Sequence, residues 1–236
     1  MIPAIALATS LIPIPTLSAV QIATGKSGVS LGGPLDIVLL MTLLTVLPAL
    51  FVSVTPFLRI VIVLHFLRQA LGTQTVPSNQ VLIGLAMFLT LVIVQPVASD
   101  IHANVWLPLE KGELTTQQAW DHAAGPVKTF LLRFTREKDL KLFVEISKST
   151  PPRSAADLGL LVIVPAYILS ELKAGFQIGA ILFLPFLVID LIVASVTLSV
   201  GMMQLPPVMI SAPLKILLFV LIDGWNLLIA SLMKSF

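Results

Sequence analysis

No cysteine occurs in the 236-residue chain, so disulfides, thiolate nucleophiles and Cys-ligated zinc are excluded together, and the redox compartment cannot be read. Charge is scarce as well: 11% of residues are Asp, Glu, Lys or Arg, against roughly 25% in an ordinary soluble domain. With 57% hydrophobic residues and a mean hydropathy of +1.02, a water-soluble globular protein is excluded. A chain this short cannot bury that much apolar surface inside itself, so a bilayer or a large protein assembly must cover the remainder. Fourteen basic and twelve acidic residues leave a net charge of +2, and no basic cluster of the kind that marks a nucleic-acid partner is present.

Patterns that announce enzyme chemistry are missing too. His65, His102 and His122 have no His or carboxylate at the spacing of a metal-binding helix such as H-E-x-x-H, so no metal site and no cofactor is expected. Gly25-Lys26-Ser27 resembles the end of a P-loop, but Val20 stands where that loop needs glycine. Ser, His and Asp show no suggestive arrangement for a catalytic triad. An enzyme is not expected.

What the chain does have is long apolar runs. Ile37 to Leu58 and Val81 to Ala98 carry no charge and approach the roughly 20 residues a helix needs to cross about 30 Å of hydrocarbon. Between Asp100 and Asp157 lie eight Lys/Arg and eight Asp/Glu, most of the charge in the chain. Beyond this insert, the residues predict a short helix over Leu158 to Ser170, a long one from about Ala174 to Val200, a Pro-rich turn, and a last helix interrupted by Asp223. Glu171 and Lys173 are then expected to flank a helix junction. Prolines 48, 56, 96, 165 and 185 fall within apolar runs, where each deletes a backbone hydrogen bond and favours a bent helix.

The first 19 residues are apolar and end in Leu17-Ser18-Ala19, a candidate signal peptide that lacks the usual basic start. The expected organisation is therefore a signal peptide at 1–19, a linker at 20–35, an apolar helical hairpin at 36–99 and a charged helical insert at 100–157. A second apolar region follows at 158–236, with a Met-rich loop at 201–207. Inside the insert, Thr115 and Gln118 have capping-box spacing, and Pro126 is placed to open a second helix. Val127, Phe130, Leu131 and Phe134, then Leu140, Phe143 and Val144, form apolar faces at helical spacing. Arg59 and Arg68, between the first two runs without an acid, put that connection in the cytoplasm and the insert outside.

A few ionisable residues stand in apolar surroundings: Arg59, His65, Arg68, Glu171, Lys173, Asp190, Lys215 and Asp223. Such groups normally face protein or water rather than lipid. Asp190 is the most isolated of them. Two readings stay open for it: a structural carboxylate satisfied by an Arg or Lys of a neighbouring helix, or a proton relay in a small-solute or proton-coupled transporter. Gly175 and Gly179 form a GxxxG pair suited to close helix approach.

Six collinear segments resemble the FliP family of flagellar type III export-gate subunits, which are homologous to the R-type subunits of virulence injectisomes. They are Arg59-Ile-Val-Ile-Val-Leu-His-Phe-Leu-Arg68-Gln-Ala-Leu-Gly72-Thr, Asn79-Gln-Val-Leu-Ile-Gly84, Ser170-Glu-Leu-Lys-Ala-Gly-Phe-Gln-Ile-Gly179, Pro185-Phe-Leu-Val-Ile-Asp190-Leu, Gly201-Met-Met and Asp223-Gly-Trp225. The resemblance implies an all-α chain of kinked membrane-type hairpins in a helical oligomeric channel, built from about five copies with Q-type and R-type subunits. It further implies contact with the B-type gate subunit and the export-apparatus ring, passage of unfolded flagellar proteins across the bacterial inner membrane at the flagellar basal body, and a periplasmic insert. By the same resemblance, much of the apolar surface is covered by neighbouring subunits rather than lipid. Met202, Met203 and Gln204 become a pore gasket, with Gln204 a more polar departure from the family's third Met. Arg59, Arg68, Glu171, Lys173 and Asp190 become candidates for ion pairs within or between subunits.

Overall fold

The computed structural model describes residues 34–73, 75–147, 157–201 and 206–236. The signal peptide 1–19, the linker up to residue 33 and Met202, Met203 and Gln204 of the Met-rich loop lie outside the described residues. Those described are α-helical throughout apart from turns, one π-helical turn and short links. In order they form α1 (Pro34–Val54), α2 (Phe57–Ala70), α3 (Asn79–Ile101), the π-turn His102–Trp106, α4 (Leu107–Glu110), α5 (Thr116–Phe134), α6 (Glu137–Ile146), α7 (Leu160–Ser199), α8 (Pro207–Leu221) and α9 (Gly224–Met233). Two units emerge: residues 1–49, which hold most of α1, and residues 50–236.

Three helical stretches are long and apolar enough to cross a membrane: Ile37–Val54, Asn79–Glu110 and Leu160–Ser199. The chain is accordingly all-α and of membrane type.

Four expectations are corrected. Leu158 to Val200 does not divide into two helices: α7 runs unbroken for 40 residues through Glu171 and Lys173. Neither Gly nor Pro stands at that point, and the two charges are met sideways by other helices, so nothing ends the helix there. The segment after the Pro-rich turn is two helices, not one. Asp223, left-handed at φ 52°, ends α8, and the α8–α9 pair bends by 68°. Gly224 then permits the bend, since a Cβ there would lie 2.3 Å from ring carbons of Phe219.

In the insert, Pro126 opens no second helix but lies inside α5. The φ of a proline ring suits a helix, and the carbonyl it leaves without a helical partner belongs to His122, an exposed residue. Lastly, Arg59 and Arg68 lie not in a polar connection but in α2, which is largely buried.

Residues 50–236 pack around α2 and α7. Ile60, Val63, Leu64 and Leu67 of α2 are buried with Leu82 and Ala86 of α3, Phe186 of α7, and Phe219, Leu228 and Leu232 beyond it. Close approach of α2 to α7 depends on the glycine pair. A Cβ on Gly175 would sit 3.2 Å from Ile62, and one on Gly179 would sit 2.5 Å from Cγ of Phe66, near the stem of a ring that cannot swing away. Gly179→Ala is therefore expected to destabilise the chain by about 1–3 kcal/mol, the scale of overpacking. A lowered thermal midpoint in detergent checks it, and an unchanged midpoint would show that α2 yields freely.

The insert folds onto the first half of α7. Thr115 accepts from the Gln118 N–H at 3.4 Å while the Gln118 side chain accepts from the Thr115 N–H at 2.9 Å, the reciprocal cap that starts α5. Leu131 of α5 is buried with Leu158, Ile163 and Tyr167, and Val127, Phe130, Phe134, Leu140 and Val144 pack around them.

Candidate functional site

Among the described residues, the ion pairs Arg59–Glu171, Lys173–Asp139 and Lys215–Asp190 each have one member on α7, and together they fasten that helix to α2, α6 and α8. The first lies deepest. Arg59 Nε donates to Glu171 Oε2 at 2.9 Å, and Nη2 donates to Oε1. This is the two-pronged geometry in which a planar guanidinium matches a carboxylate. Both residues are buried, Glu171 completely. The remaining nitrogen, Nη1, donates to the carbonyl of Ser235 at 3.1 Å and to its hydroxyl at 3.2 Å. The ring of Phe236 covers the guanidinium at 4.1 Å, and Phe134 of α5 meets Phe236 edge-on at 5.5 Å. Arg59 thus gathers α2, α7, the end of α5 and the last two residues. One turn before Glu171, the buried Tyr167 hydroxyl has no hydrogen-bond partner among the described residues.

A second cluster clasps the insert to α7. Asp139, in the first turn of α6, accepts from Ser170 Oγ at 2.8 Å and from Lys173. Ser170 Oγ accepts from the Arg136 N–H at 3.0 Å, and Arg136 Nη2 donates to Gln177 at 2.6 Å. Burial pushes the Asp139 carboxyl up, but the hydrogen bonds from Lys173 and Ser170 and the charges of Lys173 and Arg136 outweigh it and hold it below the ordinary 3.8.

A folded value below the unfolded one means that the clasp contributes fully above about pH 4 and loses its contribution as pH falls through the lower folded value. Protection of the α6 amides, taken relative to their intrinsic exchange at each pH, is expected to fall along that acid limb, and Asp139→Asn should flatten the dependence. An α6 that opens equally at every acid pH in both proteins would refute it.

The third cluster closes α7 on α8. Lys215 Nζ donates to Asp190 Oδ2 at 2.6 Å and to the carbonyl of Ala70, the last residue of α2, at 3.0 Å. Ser211 Oγ donates to Asp190 Oδ1 at 2.6 Å. A lysine here satisfies one of the carbonyls that a helix end leaves unbonded.

Arg68 belongs to none of these pairs. It donates to Asn79 Oδ1 at 2.6 Å and ties the end of α2 to the start of α3. His65 returns to its own helix, on the carbonyl of Val61 at 2.9 Å. Asp223 accepts from Asn226 at 3.2 Å.

Asp139, Ser170, Ser211 and Ser235 were not singled out by the sequence. Asp139 is one acid among eight in the insert, and serines carry no positional signal in an apolar run. A search for polar partners three and four positions from Lys173 would have reached Ser170 and Gln177 but not Asp139. Among the described residues no group of three or more His, Asp or Glu is placed to hold a metal ion. The arrangement is one of fastening: charges that cannot face lipid are consumed in joining helices.

The FliP family matches residues 40–232. A flagellar biosynthetic protein FliP of Bacillus subtilis (strain 168) is 47% identical over 217 residues, which is 92% of this chain and 98% of that protein. The protein of the same name from Caulobacter vibrioides is 45% identical over 233 residues, 98% of this chain and 88% of its own. That of Pectobacterium carotovorum subsp. carotovorum is 47% identical over 197 residues, 84% and 76% respectively. A chain matched over most of its length both by the family and by such relatives, and carrying its buried charges inside the matched region, belongs to the FliP family.

Proposed function

We propose that this chain is a channel-forming subunit of the flagellar type III protein export gate, in which several copies join Q-type and R-type subunits around a path for unfolded flagellar proteins across the inner membrane. Its membership of the FliP family over residues 40–232 is the observation that carries the reading. The physical chemistry agrees. Leu161 is 94% exposed and Leu221 73%, and so much uncovered apolar side chain on α7 and α8 requires lipid or other subunits. Nothing in this role needs bond chemistry, and we assign the chain no catalysis.

The Met-rich loop joins the end of α7 to the start of α8, whose approach is fixed by Asp190, Lys215 and Ser211. Met202, Met203 and Gln204 then form the constriction. Methionine side chains are flexible and apolar, and a ring of them closes on varied cargo while resisting water and ions. The charged insert lies in the periplasm, and the B-type gate subunit and the export ring adjoin the assembly. The transporter alternative is not favoured, because both oxygens of Asp190 are occupied by Ser211 and Lys215.

Purification in mild detergent is expected to yield a large complex whose intact mass requires several copies of this chain together with the other two subunits. In that complex, Met202→Gly with Met203→Gly should raise ion leakage without loss of assembly. A functional monomer that moves solute alone, or an assembled double variant with unchanged conductance, would count against the reading.

A further inference from the structure

Tyr167 is the one tyrosine in the chain, and it carries a polar atom that its packing does not use. The ring is buried on α7 with Leu131, Leu158 and Ile163, a task phenylalanine performs as well. The hydroxyl is buried too and meets no hydrogen-bond partner among the described residues. Burying an unpaired hydroxyl is unfavourable, so its presence calls for an arrangement in which it is paired.

One turn further along the same face of α7 stands Glu171, fully buried. Residues four apart on a helix lie one above the other, and side chains lean towards the helix start, so the Glu171 carboxylate is carried back over the turn of Tyr167. Both its oxygens are taken by the two prongs of Arg59. Arg59 is in turn held at Nη1 by the carbonyl and the hydroxyl of Ser235, at 3.1 and 3.2 Å, and covered by the Phe236 ring at 4.1 Å. The end of the chain therefore keeps Arg59 on Glu171, and with it the start of α2 on α7.

We propose that Arg59 and Tyr167 are alternative partners of Glu171, and that α2 and α7 have two arrangements at this layer. In the first, the one the structure holds, Arg59 grips the carboxylate and the Tyr167 hydroxyl is idle. In the second, Arg59 withdraws with Ser235 and Phe236, and the Tyr167 hydroxyl donates to Glu171. A hydrogen bond to an ionised acceptor then forms where a fork of two breaks. The buried carboxylate is never left bare, which is the condition that makes the loss of one partner so costly. Gly175 and Gly179 stay packed on Ile62 and Phe66, so the start of α2 is the part that moves. The inference stands on the packing within residues 50–236 and goes beyond the export reading without relying on it.

A single tyrosine makes the hydroxyl directly readable. In the full chain in mild detergent, the Raman doublet of the tyrosine ring and the NMR shift of its Cζ report whether the hydroxyl donates. The wild-type signal should be that of a hydroxyl without a partner. Arg59→Met should move it to that of a strong donor, and adding Glu171→Leu to that variant should return it. Arg59→Lys keeps the charge but cannot fork, so it should free one carboxylate oxygen and move the signal part of the way; this variant carries the test if Arg59→Met does not accumulate. The thermodynamic signature is a change of sign. Tyr167→Phe should be neutral or stabilising in the wild-type chain, but should lower the folded-to-unfolded ratio of the Arg59 variants about tenfold, the low end for a hydrogen bond to a charged group. A tyrosine that only fills the core gives the same sign in both backgrounds. That result would overturn the proposal, as would a tyrosine signal that Arg59→Lys leaves unchanged, or a wild-type hydroxyl that already donates to a buried water.

Discussion

Glu171→Ala is expected to cost about 3–5 kcal/mol, the loss seen when one partner of a buried ion pair is removed and the other charge is left uncompensated. Arg59 would keep Ser235 and the ring of Phe236, but neither carries the negative charge that offsets the desolvation of a guanidinium 5% exposed. Against a total stability of about 5–15 kcal/mol, such a loss takes a large share of the margin, and at the low end leaves folded and unfolded populations comparable. Glu171→Gln keeps an acceptor and should fall between wild type and Ala.

The informative variant is the double one. Arg59→Met with Glu171→Leu replaces both charges by apolar groups of similar length, and such exchanges are often neutral or stabilising. The double variant should therefore recover most of what Glu171→Ala loses, as read from thermal midpoints in detergent and from accumulation in the membrane. A Glu171→Ala protein within about 1 kcal/mol of wild type would show that water reaches the site.

If the double variant is stable but assembles or exports poorly, the pair serves register rather than stability. Arg59, Ile62 and Phe66 of α2 meet Glu171, Gly175 and Gly179 of α7 in successive layers. A buried charge pair makes every other layer pairing costly, whereas Met and Leu would tolerate a slip. Loss of function at full stability is thus the signature of a register role.

Much of this was legible in the residues. The apolar runs, the capping box at Thr115 and Gln118 and the GxxxG pair follow from local chemistry, and the structure has helices, a cap and a close helix contact there. Helix ends were less legible where a charge meets a partner far along the chain. Glu171 and Lys173 look like a break to a reader of hydropathy, because Arg59 and Asp139, which satisfy them, lie 112 and 34 positions away. The bend at Asp223 escaped for a related reason. Asp-Gly in an apolar run signals an interruption, but only the Phe219 ring packed where a Cβ of residue 224 would stand shows that the chain turns there. Of the candidate site, the isolated charges could be named, but not their pairing, since that depends on which helix faces which.

The same logic makes the Asp190 cluster asymmetric. Lys215 is 2% exposed at its side chain whereas Asp190 is 35% exposed. Asp190→Ala therefore strands a buried ammonium with only the Ala70 carbonyl as partner, and a loss of about 2–4 kcal/mol is expected, below the full buried-pair value because part of the pair is screened. Lys215→Met leaves instead a carboxylate that is only partly buried and that Ser211 still supports, so the smaller loss falls on the removal of the lysine. Asp190→Asn retains one acceptor oxygen, which can serve Lys215 while its NH2 donates to the Ser211 hydroxyl, and should keep roughly half of the stabilisation, at about 1.5–3 kcal/mol for a hydrogen bond to a charged group.

Since this cluster sets the approach of α7 and α8 on either side of Met202 and Met203, secretion and motility should follow the same order, Asn above Ala. Equal and complete loss of secretion in both, with normal accumulation and assembly, would assign Asp190 a role that depends on its charge itself. The geometry argues otherwise: a carboxylate bound through both oxygens by an ammonium and a hydroxyl is held as a structural anion, and it is the buried ammonium that needs it.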